Sequence, residues 1–189
     1  MVNYPKSVLN RRNLMLTAGA GLLAGCGNGV NSNGAETIDA RVDSALNFLF
    51  NNVEGSRSLA DKAVGVLTIP LVTEAGFGIG GKFGRGALRI NGATVDYYST
   101  TSATFGLQIG AQQYAHALYF MNETALADFR QSAGWTVGAD ARYALSAEAG
   151  NLSVDTTTAL SPVIAFVFGQ AGLIAGATIE GNKYSRIIP

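Results

Sequence analysis

Apolar residues recur along this chain at two periods, and the change between them divides the sequence. From Glu36 the spacing is helical: Ile38, Val42, Ala45, Leu46, Leu49 and Phe50 fall three and four residues apart. Thr37 or Ser32 is the candidate cap, and Glu36 and Asp39 suit a helix N-terminus. A second, shorter helix is predicted from Ser56 to Ala63, with Ser56 as its cap and Leu59 and Ala63 on one face. Beyond Val64 the period becomes two. Val64 to Ile69 is predicted as a strand ended by Pro70, and Phe77 and Ile79 alternate with glycines. Ala87 to Ile90 leads into Asn91-Gly92, a strong hairpin signal, and Thr94 to Tyr98 returns. Further strands are predicted at Phe105 to Ile109, Ala115 to Phe120, Trp135 to Leu145, Leu152 to Thr156, Val163 to Phe168 and Leu173 to Ile179. One helix, Glu123 to Gln131 with Asn122 as its cap, interrupts them.

Helical segments are too few for alternating βαβ units, so the sheet is expected to be mostly antiparallel. Many of the 24 glycines lie inside apolar strands, which points to close backbone approach or strong curvature. The expected fold class is α+β: a mostly antiparallel, strongly curved or barrel-like β-domain with N-terminal helices and one inserted helix.

The first 35 residues follow neither period. Lys6, Arg11 and Arg12 precede an apolar stretch from Leu14 to Ala24, and Leu23-Ala24-Gly25-Cys26 follows. That order is the anatomy of a secretory signal. It resembles the lipobox of bacterial lipoproteins, in which the cysteine becomes the acylated N-terminus. The apolar stretch is about half the ~20 residues of a membrane-spanning helix. Arg11-Arg12 fits a twin-arginine signal or an ordinary basic n-region. Three segments are therefore expected: a signal peptide over 1–25, a flexible Gly/Asn/Ser tether over 26–35, and a domain over 36–189. Gly27 follows the cysteine and no Asp stands there, which by resemblance to lipoprotein sorting points to the periplasmic face of the outer membrane.

Charge narrows the function classes. The chain has 13 basic and 13 acidic residues, and three basic ones lie in the leader. What remains has a net charge of −3, against the basic footprint that nucleic-acid binding requires. Cys26 is the only cysteine, so once acylated it leaves no thiol for a disulfide, a zinc site or a nucleophile. His116 is the only histidine and lies in an apolar strand, as a structural residue would. A His-based metal site or a Ser-His-Asp triad needs partners the sequence does not flag. Asp140 has no partner carboxylate nearby and is read as pairing with Arg142 or capping a turn. No catalysis, metal or cofactor is expected. Gly76 to Gly81 matches the G-x-G-x-x-G string, but a strand-like segment follows where a dinucleotide site needs a helix N-terminus.

One charge cluster stands out. Lys82, Arg85 and Arg89 lie in a Gly-rich hairpin, with Lys62 a candidate neighbour and Phe77 and Phe83 beside them. Basic residues on exposed turns beside aromatic rings suit anionic lipid head groups: charge for phosphate, rings for the interface. The alternative is a solvated strand edge whose charges block aggregation.

Several ordered segments carry a family resemblance. They are Ala63 to Pro70, Ala75 to Gly81 with Gly84-Arg85-Gly86, Phe105 to Gln112, Met121-Asn122, Gly138-Ala139-Asp140, and Gly172 to Gly181. In this order, from Ala63 to Ile187, the chain resembles the SYLF lipid-binding domain family. It departs where the family often has Trp-Ser-x-Pro and this chain has Asp96-Tyr97-Tyr98-Ser99. The resemblance implies a module that binds phosphoinositides or other anionic phospholipids. Some eukaryotic members also bind actin, a role an exported protein would not meet. The expectation is a lipid-anchored envelope protein, attached through acylated Cys26. Lys82, Arg85, Arg89 and Lys62 would contact head groups, and Phe83 and Phe77 would insert. The alternatives are a lipoprotein that docks an envelope protein, and a carrier that encloses an acyl chain.

Overall fold

The computed structural model describes residues 33–136, 141–144, 161–169, 179 and 181–189. The leader, Cys26, the tether as far as residue 32, Asp140, the predicted strand at 152–156 and residues 173–178 lie outside them. The predicted α+β class holds. Among the described residues three helices, α1 (Gly34–Asn52), α2 (Ser56–Ala60) and α3 (Glu123–Gln131), pack on a sheet of β1 (Gly65–Ile90), β2 (Ala93–Phe120), β3 (Trp135–Thr136), β4 (Ala141–Ala144), β5 (Val163–Phe168) and β6 (Lys183–Ile187). All pairings are antiparallel except β4 with β5.

The short strands predicted on either side of the Asn91-Gly92 turn are in fact two long ones. β1 and β2 pair from Gly65 opposite Phe120 to Ile90 opposite Ala93. Asn91 and Gly92 both have positive φ, as a two-residue turn of this kind requires. Pro70 does not end β1. The register moves from Ile69 opposite His116 to Val72 opposite Tyr114, so Pro70 and Leu71 together face Ala115 in a bulge. A proline, which has no N–H to give to the ladder, is tolerated there. Of the strand predicted from Trp135 to Leu145, the described residues form β3, which pairs with β6, and β4, which lies beside β5; residues 137–140 are not among those described.

β1 curls over itself. A Cβ on Gly84 would come within 2.7 Å of Leu71 O and Ile69 Cγ2, and one on Gly86 would overlap the Thr68 carbonyl. These two glycines let the two halves of one strand cross at backbone contact, the close approach the composition predicted.

Both faces of the curled sheet are covered. In β5, Val163, Ala165 and Val167 join the inner core with Leu118, Phe120, Leu126 and Phe129. Their alternates Ile164, Phe166 and Phe168 join the outer core with Leu49, Val53, Leu59 and Tyr119. α1 lies across the outer face, with Ile38 and Val42 on Ala87. Each such buried aliphatic side chain contributes roughly 1.5–3 kcal/mol.

Helix ends differ in part from expectation. α1 begins at Gly34 with Asn33 as N-cap, so Gly34 and Ala35 belong to the helix and not to the tether. Thr37 is inside the helix and its hydroxyl donates to Asn33 O (2.8 Å). Gly55, not Ser56, caps α2, because its positive φ makes the turn; Ser56 donates instead to Val53 O (2.6 Å). Asn122 caps α3 as predicted, with Oδ1 accepting from the Ala125 amide (2.9 Å).

Candidate functional site

The bulge at Pro70-Leu71 sits under α1 and forms the floor shared by two clefts. The first, about 570 Å³, runs from the start of α1 to the crossing of β1, and is lined by Asn33, Gly34, Thr37, Ile38, Arg41, Pro70, Leu71, Thr73, Phe83, Gly84 and Arg85. The second, about 540 Å³, continues along α1 past Ser44, Ala45 and Phe48 to Gln113, Tyr114, Ala115, Phe168 and Gly169. Arg41, Pro70 and Leu71 line both. Helical spacing explains the shared wall: Arg41, Ser44, Ala45 and Phe48 follow one edge of α1, beside the buried stripe of Ile38, Val42 and Leu49.

The first cleft is basic and apolar-rimmed. Arg41 is exposed and makes no ion pair among the described residues. Arg85 is half-buried on the facing strand. Phe83 is 54% exposed and Leu71 40%, and Ile79, on the same strand face as Phe83, is 72% exposed. Large apolar side chains at such exposure beside the Arg41 guanidinium have the character of an interaction surface.

The basic cluster expected from sequence is not one patch. Strand alternation puts Lys82 on the opposite face from Phe83 and Arg85. Lys82 is buried, with its ammonium 3.5 Å from Glu74 Oε2 and 5.8 Å from the Tyr114 ring centre, so it does not lie on an exposed turn. Arg89 shares the outer face with Arg85, but its guanidinium meets Asp43 and Asp39 on α1. Asp39 also accepts from Thr94 and from Tyr97 (both 2.8 Å), so this group ties α1 to the β1–β2 hairpin. Lys62 is exposed in the turn between α2 and β1 and lines neither cleft. Nothing is described of the Phe77 side chain. Arg85 and Phe83 are thus brought together as expected, while Arg41 and Ile79 were missed. Arg41 carried a faint signal, as a lone cation at the margin of the helical apolar stripe.

Inside the curl lies a second polar group. His116 is wholly buried, with Nε2 2.8 Å from the Tyr184 hydroxyl. Burial, reinforced by the charge of Lys82, pulls its pKa down to about 3, so the ring is neutral. Glu74 accepts from Gln112 (2.8 Å) and faces Lys82. Burial, then the Glu74 charge, pushes the Tyr114 phenol up to about 12. This arrangement is a packed ion pair and a neutral imidazole. The Gly76 to Gly81 string lies within β1, where no helix N-terminus follows it.

Residues 101–186, a little under half of the chain, match the family model Ysc84, described as Las17-binding protein actin regulator. The match is to the SYLF-type domain and runs from within β2 through α3 to β6. No curated protein matches the chain.

Proposed function

We propose that this chain is a lipid-anchored envelope protein whose domain binds the surface of anionic membranes through the first cleft. One observation carries the reading: Arg41 and Arg85 flank an opening rimmed by exposed Phe83 and Leu71, at the point where the chain enters α1. Guanidinium groups supply charge-assisted bonds to phosphate, and the apolar side chains suit the interface just below it. The SYLF-type match supports a lipid role in kind. The actin regulation named for that family model is not carried over, because an exported chain does not meet cytoskeletal actin.

Chain length supports the same orientation. Among the described residues no helix is long and apolar enough to cross a membrane; on this reading attachment is through acylated Cys26. Seven residues, 27–33, separate it from α1, and fully extended they span at most about 25 Å. A bilayer holding the acyl chains therefore lies within that distance of the Arg41–Arg85 cleft. Anchor and cleft together make the two signals that stable attachment requires.

The test is co-sedimentation of residues 27–189, which hold every described element and lack the cysteine. Binding to phosphatidylglycerol or phosphoinositide vesicles that weakens with salt, with none to phosphatidylcholine, is the expected result. No binding to any vesicle would overturn the reading and leave the anchor as the sole membrane contact.

A further inference from the structure

We infer that the second cleft is an acyl slot: it takes one fatty chain of an anionic phospholipid whose phosphate is held at Arg41. The inference rests on the lipid-binding reading above and goes further, because surface binding alone does not remove a chain from the bilayer.

Three observations combine. The two clefts meet at Arg41, Pro70 and Leu71, so a group held at the arginine has an apolar continuation directly beside it. The continuation is lined by Phe48 and Phe168, which stack on each other at 6.2 Å and 12° and form one aromatic wall, and by the small side chains of Ala45 and Ala115. Its volume of about 540 Å³ is within the usual range for a small-molecule site. Length fits as well. Arg41 to Phe48 is seven helical residues, about 10 Å, against roughly 15 Å for one chain in half of a ~30 Å hydrocarbon core. The slot therefore covers the greater part of a chain and leaves its end at the rim.

Charge selects the occupant. Arg41 has no carboxylate partner among the described residues and stands where the slot opens. An anionic head group satisfies it, whereas a thioether-linked diacylglycerol on Cys26 carries no charge to offer. The protein's own anchor is thus the poorer occupant.

The experiment uses the full chain in vesicles whose phosphatidylglycerol or phosphatidylcholine carries a diazirine in the acyl chain. After illumination, cross-linked peptides are mapped by mass spectrometry, and salt-sensitive co-sedimentation is measured on the same samples. The expected result is labelling at 41–48 and at Phe168, severalfold richer with the anionic lipid and severalfold lower in Ala45→Trp, which fills the slot. Ser44→Trp, at an exposed rim position, serves if Ala45→Trp does not fold. Salt-sensitive binding with labels confined to Ile79 and Phe83 would overturn the slot and leave the surface reading intact. Equal labelling from both lipids, or labelling that persists in the tryptophan variants, would also overturn it. Loss of the preference for anionic vesicles would overturn both.

Discussion

His116 makes the acid stability of this protein a sharp test of its interior. It is the only histidine in the chain, so between pH 7 and 5 no other side chain with an ordinary pKa titrates. In the folded state burial and Lys82 hold its pKa near 3; in the unfolded chain it returns to about 6.5. A base with a depressed folded pKa is protonated first in the unfolded state. Stability therefore falls as pH drops below 6.5, by about 1.4 kcal/mol per unit until the folded pKa is reached. From pH 7 to pH 5 the loss comes to about 2 kcal/mol, and any folded pKa below about 4 gives the same figure. Tyr114, which faces the ring, does not absorb the change, because burial pushes its phenol up to about 12. The assay is urea unfolding of wild type and His116→Gln at pH 7 and 5, read by tryptophan fluorescence of Trp135. Wild type should lose about 2 kcal/mol over that interval and the glutamine variant much less. A flat wild-type profile, or an equal fall in both proteins, would refute a buried neutral imidazole.

Four further outcomes follow from the packing and the site. Arg41→Ala with Arg85→Ala should weaken anionic-vesicle binding by about 2 kcal/mol, roughly thirtyfold in partition, measured by liposome titration at fixed salt. Arg89→Ala should leave that binding unchanged, because its guanidinium serves Asp39 and Asp43, and should cost no more than about 1 kcal/mol of stability in urea melts. Gly86→Ala should destabilise by about 1–3 kcal/mol or more, since its methyl group collides with the Thr68 carbonyl, seen as a lower thermal midpoint. Phe129→Ala should cost about 3–5 kcal/mol by the same assay, because that ring contacts Tyr98, Phe120, Trp135 and Tyr184 in the inner core.

The local rules that proved legible are those with a single cause. Asn91-Gly92 specifies a two-residue turn through positive φ, and Asn122 caps α3 through its side-chain oxygen. The alternation of 163–168 is faithful on both faces, although burial on both hides it as a continuous apolar run. Strand continuity was not legible. Pro70 and the glycines of 76–81 act as punctuation in a sequence, but β1 runs through both, with a bulge at the first and a register shift between Gly76 and Gly78 at the second. The Lys82–Arg85–Arg89 cluster failed for a reason the sequence contained: in a strand, positions 82 and 85 differ in parity and face opposite sides. The meeting of Arg41 with Arg85 had no such signal. It depends on how α1 crosses the sheet, which in turn is set by Ile38 and Val42 on Ala87 and by Asp39 and Asp43 on Arg89.

That crossing gives the Arg89 group a role in the site without contact to lipid. The two clefts exist because α1 spans the Pro70-Leu71 bulge with Arg41 over the shared floor, and α1 is the first described element of the chain. If Cys26 is acylated as proposed, any pull from that anchor would act on the same end of α1 that Asp39 and Asp43 tie to the hairpin. Farther along, Leu49 and Val53 seat the helix in the outer core, where burial is worth several kcal/mol and an exposed ion pair about one at most. The half of α1 that carries Arg41 is held in two ways, by Ile38 and Val42 buried on Ala87 and by Asp39 and Asp43 on Arg89. On the proposed reading, a head group bound at Arg41 and Arg85 would bridge α1 to β1, so that ligand binding and the seating of α1 would be thermodynamically linked.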